Sequence, residues 1–318
     1  MNEVINKMYQ RKSHPYSKSI SQKFLINSEH YDTIIIVEGT SDVDFYKNSN
    51  IEILNNACYI FASPNADIVG KKAVIKSYFE IKEQSRKHIF NNSIIFIVDK
   101  DFFGINWKAP EYKKIAIEEK ATTEDIDNFT ILNCHSHECY FILEENLTKI
   151  FNLLHIEDKL NDFNKILEYD LEDFSEYFAY KSILEKENPY YSKDCENIKG
   201  IDFKFEFKEN NITYDKESLT NAIKKMKREV EYSENKKILE KQYLEMKQNF
   251  KLFPGLLRGH TMYSFLECFL NHNGKSLKEY YEDEGLEYNN EIMKSINIPL
   301  DIKVLKVNIG KYKTKETI

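Results

Sequence analysis

Two short β-branched runs constrain this chain more than any other feature: Thr33-Ile34-Ile35-Ile36-Val37 and Ser93-Ile94-Ile95-Phe96-Ile97-Val98. Each is strand-sized and apolar without alternation, as expected of a strand covered on both faces. Each also ends in an acidic turn, Glu38-Gly39-Thr40-Ser41-Asp42 in the first case and Asp99-Lys100-Asp101-Phe102 in the second. Tyr59-Ile60-Phe61 and Phe129-Thr130-Ile131-Leu132 mark further strands, and Lys71 to Lys87 carries Val74, Ile75, Tyr78 and Phe79 at helical spacing. Strands separated by helical stretches predict βαβ units, a mainly parallel α/β sheet of Rossmann-like type with flanking helices. The first turn predicts a helix capped at Thr40 or Ser41, with Val43, Phe45 and Tyr46 facing the sheet.

From about Cys139 the pattern turns helical, over Tyr140 to Leu154, Leu219 to Phe250 (one long helix or a helical hairpin) and His260 to Leu270. The division expected is an α/β domain over 1–145, with an N-terminal extension of about 1–30, and a mainly helical region over 146–318. At 318 residues and 42% hydrophobic composition the chain has ample material for a core.

Composition excludes several functions. None of the nine glycines forms G-x-G-x-x-G, and Gly274-Lys275-Ser276 has Phe269 where a phosphate-binding loop needs glycine. A net charge of −7 argues against a protein that coats nucleic acid by bulk charge. The apolar runs are too short to span a bilayer, and the polar start of the chain has no apolar signal core. Five irregularly spaced cysteines without a C-x-x-C pair fit reduced thiols, so the expectation is a cytoplasmic protein without a membrane partner.

The acids carry the chemistry. Glu38, Asp42 and Asp44 follow one strand, Asp99 and Asp101 another, and Glu138 the next. In a parallel sheet these strand ends share one edge, where sites form in open α/β folds. Asp99 and Asp101 are two residues apart, so in an extended chain both carboxylates point the same way. Converging carboxylates repel unless a cation or proton neutralises them, and Mg²⁺ (or Mn²⁺) suits an oxygen-rich site open to phosphate. Lys71, after Gly70 at a helix start, and Arg258-Gly259-His260, at another, are candidate phosphate contacts. His137 is a candidate to bind phosphate or to orient Glu138. Cys134-His135-Ser136-His137-Glu138-Cys139 is too tightly spaced for a tetrahedral zinc site without a second distant pair, which the sequence lacks.

Ile36-Val37-Glu38-Gly39-Thr40-Ser41-Asp42 followed by Ile97-Val98-Asp99-Lys100-Asp101 resembles the TOPRIM domain of topoisomerases, primases and OLD-type nucleases. With Phe45-Tyr46, Phe102 and His137-Glu138-x-Tyr140, it resembles more narrowly a TOPRIM-like branch with a C-terminal helical region, found among ATPase-coupled anti-phage effectors. The resemblance covers roughly the first 145 residues. It implies Glu38 as metal ligand or general acid/base, Asp99 and Asp101 as metal ligands, Glu138 as a further acidic ligand and Asp42 as a weaker one. It also implies a metal-dependent nuclease hydrolysing phosphodiester bonds, a toxin effector acting on nucleic acid, with RNA such as host tRNA ahead of DNA. An ABC-type ATPase is the implied partner and a homodimer is allowed. The alternative is a non-catalytic binding or sensor module for a nucleotide or a partner ATPase.

Overall fold

The β-branched runs form the centre of a parallel sheet. In a computed structural model describing residues 20–62, 70–85, 92–102, 104–188, 191, 203–281 and 285–306, β1 (Thr33–Val37), β2 (Cys58–Phe61), β3 (Ser93–Val98) and β4 (Phe129–Ile131) lie in the order β2-β1-β3-β4. All three pairings are parallel, with Ile36 level with Ile60 on one side and Phe96 on the other. Residues 1–19, Cys195 and the end of the expected helix beyond Ser85 lie outside the described residues.

Strand alternation sorts the apolar side chains into two cores. Ile34, Ile36, Ile94, Phe96 and Val98 face one side, where α1 (Ile20–Ser28), α4 (Lys71–Gln84) and α5 (Pro110–Glu118) supply Phe24, Val74, Tyr78 and Ile115. Ile35, Val37, Ile95 and Ile97 face the other, against Phe45 and Tyr46 of α2 (Thr40–Lys47), which leads on to the short α3 (Glu52–Asn55). Both faces are therefore covered, which is why the strands tolerate continuous apolar runs.

That second core extends without a break into the later chain. It includes Ile150 and Phe151 of α6 (Glu144–Leu153), Phe163 and Phe178 of α7 (Leu160–Glu187), and Met226 of α8 (Lys216–Tyr232). Phe250 of α9 (Lys236–Leu252) and Phe265 of α10 (Gly259–His272) complete its aromatic centre. The 219–250 stretch is a helical hairpin: the buried stripe Leu219, Ala222, Met226, Val230 ends where Ser233-Glu234-Asn235 offers no apolar residue to continue it. The later chain also holds two antiparallel hairpins absent from the sequence-based expectation. They are β5 (Glu206–Lys208) with β6 (Asn211–Thr213), and β7 (Lys278–Tyr281) with β8 (Gly285–Tyr288), the latter leading into α11 (Asn290–Ser295). The first turns on Glu209 and Asn210, both at positive φ, the backbone of a two-residue primed turn.

The chain then returns to the sheet. β9 (Val304–Lys306) pairs antiparallel with the first half of β3, Ile95 opposite Val304, while β4 pairs with its second half. The carboxyl half of β3 is thereby left to carry its acidic turn next to that of β4. No helix among the described residues is long and apolar enough to cross a membrane.

Candidate metal centre at the carboxyl edge of the sheet

The register brings the strand ends together. With Ile36 level with Phe96, Glu38 falls level with Val98, and its Oε1 accepts the Asp99 amide N–H at 2.9 Å. The helix after β1 is capped one residue earlier than its sequence suggests. Gly39, extended at φ −151°, is the N-cap, and its N–H donates to Asp42 Oδ2 at 2.8 Å. A carboxylate at the third helical position reaches back to the cap, which neither Thr40 nor Ser41 displaces. This fixes Asp42 at the sheet edge with its other oxygen turned toward the 3₁₀ segment His137–Ile142.

Asp101 does not accompany Asp99. Its φ of 47° takes the chain out of the strand, its N–H donates to the His135 carbonyl at 2.8 Å, and its carboxylate pairs with Lys71 Nζ at 2.6 Å. The expectation that both aspartates point the same way is thus corrected by a left-handed turn. Lys71 is correspondingly committed. Its side chain is almost wholly buried at the start of α4, so it serves Asp101 as an internal cation and is not held free for a substrate. Gly70 before it has φ +62°, and a Cβ there would lie 3.3 Å from Glu38 Oε2, so this backbone and this approach both favour glycine.

The third strand end delivers His137 and Glu138, both buried. Ser136 Oγ donates to Glu138 Oε2, His260 Nδ1 lies 3.1 Å from Oε1, and His137 Nε2 lies 3.6 Å from the same oxygen. The close seating of α10 makes this possible: a Cβ on Gly259 would stand 1.8 Å from Ser136 Oγ. His137 Nδ1 is 2.9 Å from Asp42 Oδ1, yet off the line a hydrogen bond requires, and neither ring nitrogen has a hydrogen-bond partner among the described residues.

Ligand atoms from Asp42, Asp99 and His137 all lie within 4.8 Å of one another, close enough for one ion to touch all three. Sequence reasoning named all three residues but sorted them differently, with His137 as a substrate contact and Glu38 and Asp101 as ligands. Glu38 instead sits beside the group with one oxygen on the Asp99 amide, and Asp101 is turned to Lys71. Glu138 lies behind His137. Asp44 is half-buried on α2, accepting from the Asn48 side chain. Arg258 is exposed at the N-cap of α10, with no ion pair to any described residue, and His260 is 74% exposed. His135 went unassigned, though its ring is buried with Nδ1 unpartnered, wedged edge-on against Phe102.

The electrostatics follow from burying several acids beside one another, with Lys71 paired to Asp101. Burial pushes the Glu38 carboxyl up to about 7, against the pull of Lys71 and the Asp99 amide. Burial, then the charges of Glu38, Asp42, Asp101 and Glu138, push Asp99 well above the usual carboxylate range. Burial opposes a charged His137, but Asp42 and Glu138 outweigh it and raise its pKa. Burial likewise raises Glu138, and His137, His260 and Ser136 together bring it below the ordinary value. Burial takes His135 down to about 4, with Lys71 and Arg258 acting the same way and Asp101 and Glu138 against it. A divalent ion at Asp42 and Asp99 would relieve the repulsion that raises Asp99.

No protein-family model matches the chain, and no curated protein sequence matches it.

Proposed function

We propose that this protein is a divalent-metal-dependent phosphodiesterase, a nuclease of the TOPRIM-like type. The observation that carries the reading is the convergence of Asp42, Asp99 and His137 at the carboxyl edge of a parallel sheet, with Glu38 beside them poised near pH 7. Asp42, Asp99 and His137 would hold the ion. Once bound, it supplies positive charge that polarises a phosphoryl oxygen and acidifies a water. Glu38, with a pKa near neutrality, is matched to the task of general base. The water oxygen forms the new P–O bond, its proton passes to Glu38, and the leaving oxygen departs with the electrons of the broken P–O bond. Arg258 and His260, exposed at the start of α10, are the proposed contacts for the flanking phosphates. Asp101 holds the Lys71 ammonium in place at 2.6 Å, so that the two act on the site as a pair.

The resemblance of the E-G-x-x-D and D-x-D segments to TOPRIM effectors supports placing this nuclease in anti-phage defence. There it would act as a toxin on RNA such as tRNA, held or released by an ABC-type ATPase. The test is incubation with total tRNA and with plasmid DNA, with and without Mg²⁺ or Mn²⁺. Metal-dependent cleavage that disappears in a folded Glu38→Gln variant is the expected result. Absence of cleavage with a metal still bound would favour the sensor-module alternative.

A further inference from the structure

His137 distinguishes this cluster from an all-oxygen one. Mg²⁺ binds oxygen ligands almost alone, whereas an imidazole nitrogen among carboxylates favours first-row transition ions. The ring is 2% exposed, and both of its nitrogens are without a hydrogen-bond partner among the described residues. Nδ1 stands beside the Asp42 carboxylate without the alignment of a hydrogen bond, and a buried imidazole so placed is costly unless a proton or a metal ion lies between the two groups. Its Nδ1 lies 2.9 Å from Asp42 Oδ1, while two neighbouring ligands about 2.1 Å from an octahedral ion stand about 3 Å apart. Phe45, with its ring centre 4.8 Å away, and Tyr46, at 6.3 Å, hold the imidazole in place. On the far side Nε2 faces Glu138 at 3.6 Å, and Glu138 is itself fixed by Ser136 and His260. A carboxylate behind a ligating histidine is the usual outer arrangement that orients the ring and strengthens it as a ligand.

We propose that His137 ligates the metal through Nδ1 beside Asp42 and Asp99, that Glu138 is its positioning residue through Nε2, and that the site therefore prefers Mn²⁺ over Mg²⁺. This rests on the metal-centre part of the proposed function and is independent of the substrate. The experiment is Mn²⁺ titration of the full chain followed by electron spin-echo spectroscopy, with competition by Mg²⁺. Nitrogen coupling to the bound Mn²⁺ is expected, changing from ¹⁴N to ¹⁵N when only histidine is ¹⁵N-labelled, a readout that needs no variant. Mn²⁺ is expected to bind at least about tenfold more tightly than Mg²⁺. His137→Gln should abolish the coupling and narrow that preference. Glu138→Gln should keep the coupling while weakening Mn²⁺ binding by about tenfold. Bound Mn²⁺ without histidine nitrogen coupling, or equal affinities for the two ions, would overturn the proposal. Nitrogen coupling without nucleic-acid cleavage would support it while removing only the phosphodiesterase reading.

Discussion

Two buried acidic regions of this protein are built on opposite plans. Asp125, 3% exposed, accepts from Tyr78 Oη at 2.6 Å, from Lys82 Nζ at 2.5 Å and from the Thr122 amide at 2.8 Å. Burial would raise its pKa, yet these partners hold it below the usual range. Asp99 shows more surface but lies well above that range, first through burial and then because its neighbours are Glu38, Asp42, Asp101 and Glu138, with no cation of its own among them to offset it. Burial raises both carboxyls; the neighbours decide whether that rise is reversed, as at Asp125, or reinforced, as at Asp99. A structural carboxylate carries its own cation, whereas the sheet edge gathers carboxylates and spends its lysine, Lys71, on Asp101. Such an arrangement is costly to the bare fold and becomes favourable when a cation arrives.

The contrast can be broken at either end. The largest effect expected is on turnover: Asp99→Asn should lower metal-dependent cleavage by about 100-fold or more, while Asp125→Asn should leave the rate per folded molecule near that of the parent. A cleavage assay normalised to folded protein checks both. On stability the order reverses. Lys82→Ala should cost about 2 kcal/mol in denaturant unfolding, less than for a fully enclosed pair because Lys82 is 38% exposed. Asp99→Asn should leave the metal-free protein as stable as the parent or more so.

A smaller effect sharpens the same point through pH. Glu38 has its folded pKa raised to about 7, so the stability it contributes is present below the ordinary glutamate pKa and is lost as pH rises through 7. The metal-free protein should therefore lose about 1 kcal/mol between pH 6 and pH 8, with Asp99 acting in the same direction, and Glu38→Gln should flatten the slope. Asp125 has the opposite sign: its contribution is present at neutral pH and is lost only as pH falls through its depressed pKa. The smallest effect belongs to an exposed pair. Lys114, 3.8 Å from Glu118 and largely in solvent, should cost under about 0.5 kcal/mol when changed to alanine.

Much of the sheet was legible in the sequence because β1 and β3 are built from local runs of β-branched residues, and their acidic turns mark the strand ends. β9 was not, because Val304-Leu305-Lys306 becomes a strand only by meeting β3, some 200 residues earlier. The β5–β6 hairpin escaped notice because Glu209-Asn210 fills its turn without the glycine that usually announces one. The acids of the site were readable from their positions after strands, but not which of them converge. That depends on the left-handed turn at Asp101, on the Lys71 partner it thereby finds, and on the seating of Gly259 against Ser136 that sets Glu138 behind His137. These are consequences of tertiary packing, and residue spacing carries no trace of them.

On this proposal the carboxyl edge of the sheet is assembled to receive a cation. Calorimetric titration of the metal-free chain with Mn²⁺ at pH 8, beside Asp99→Asn and Asp125→Asn, tests it most directly. Saturable binding is expected for the parent and for Asp125→Asn, with heat-stability rising as the ion binds, and loss of both in Asp99→Asn. A parent protein that takes up no divalent ion, or an Asp99→Asn variant that binds as the parent does, would contradict it.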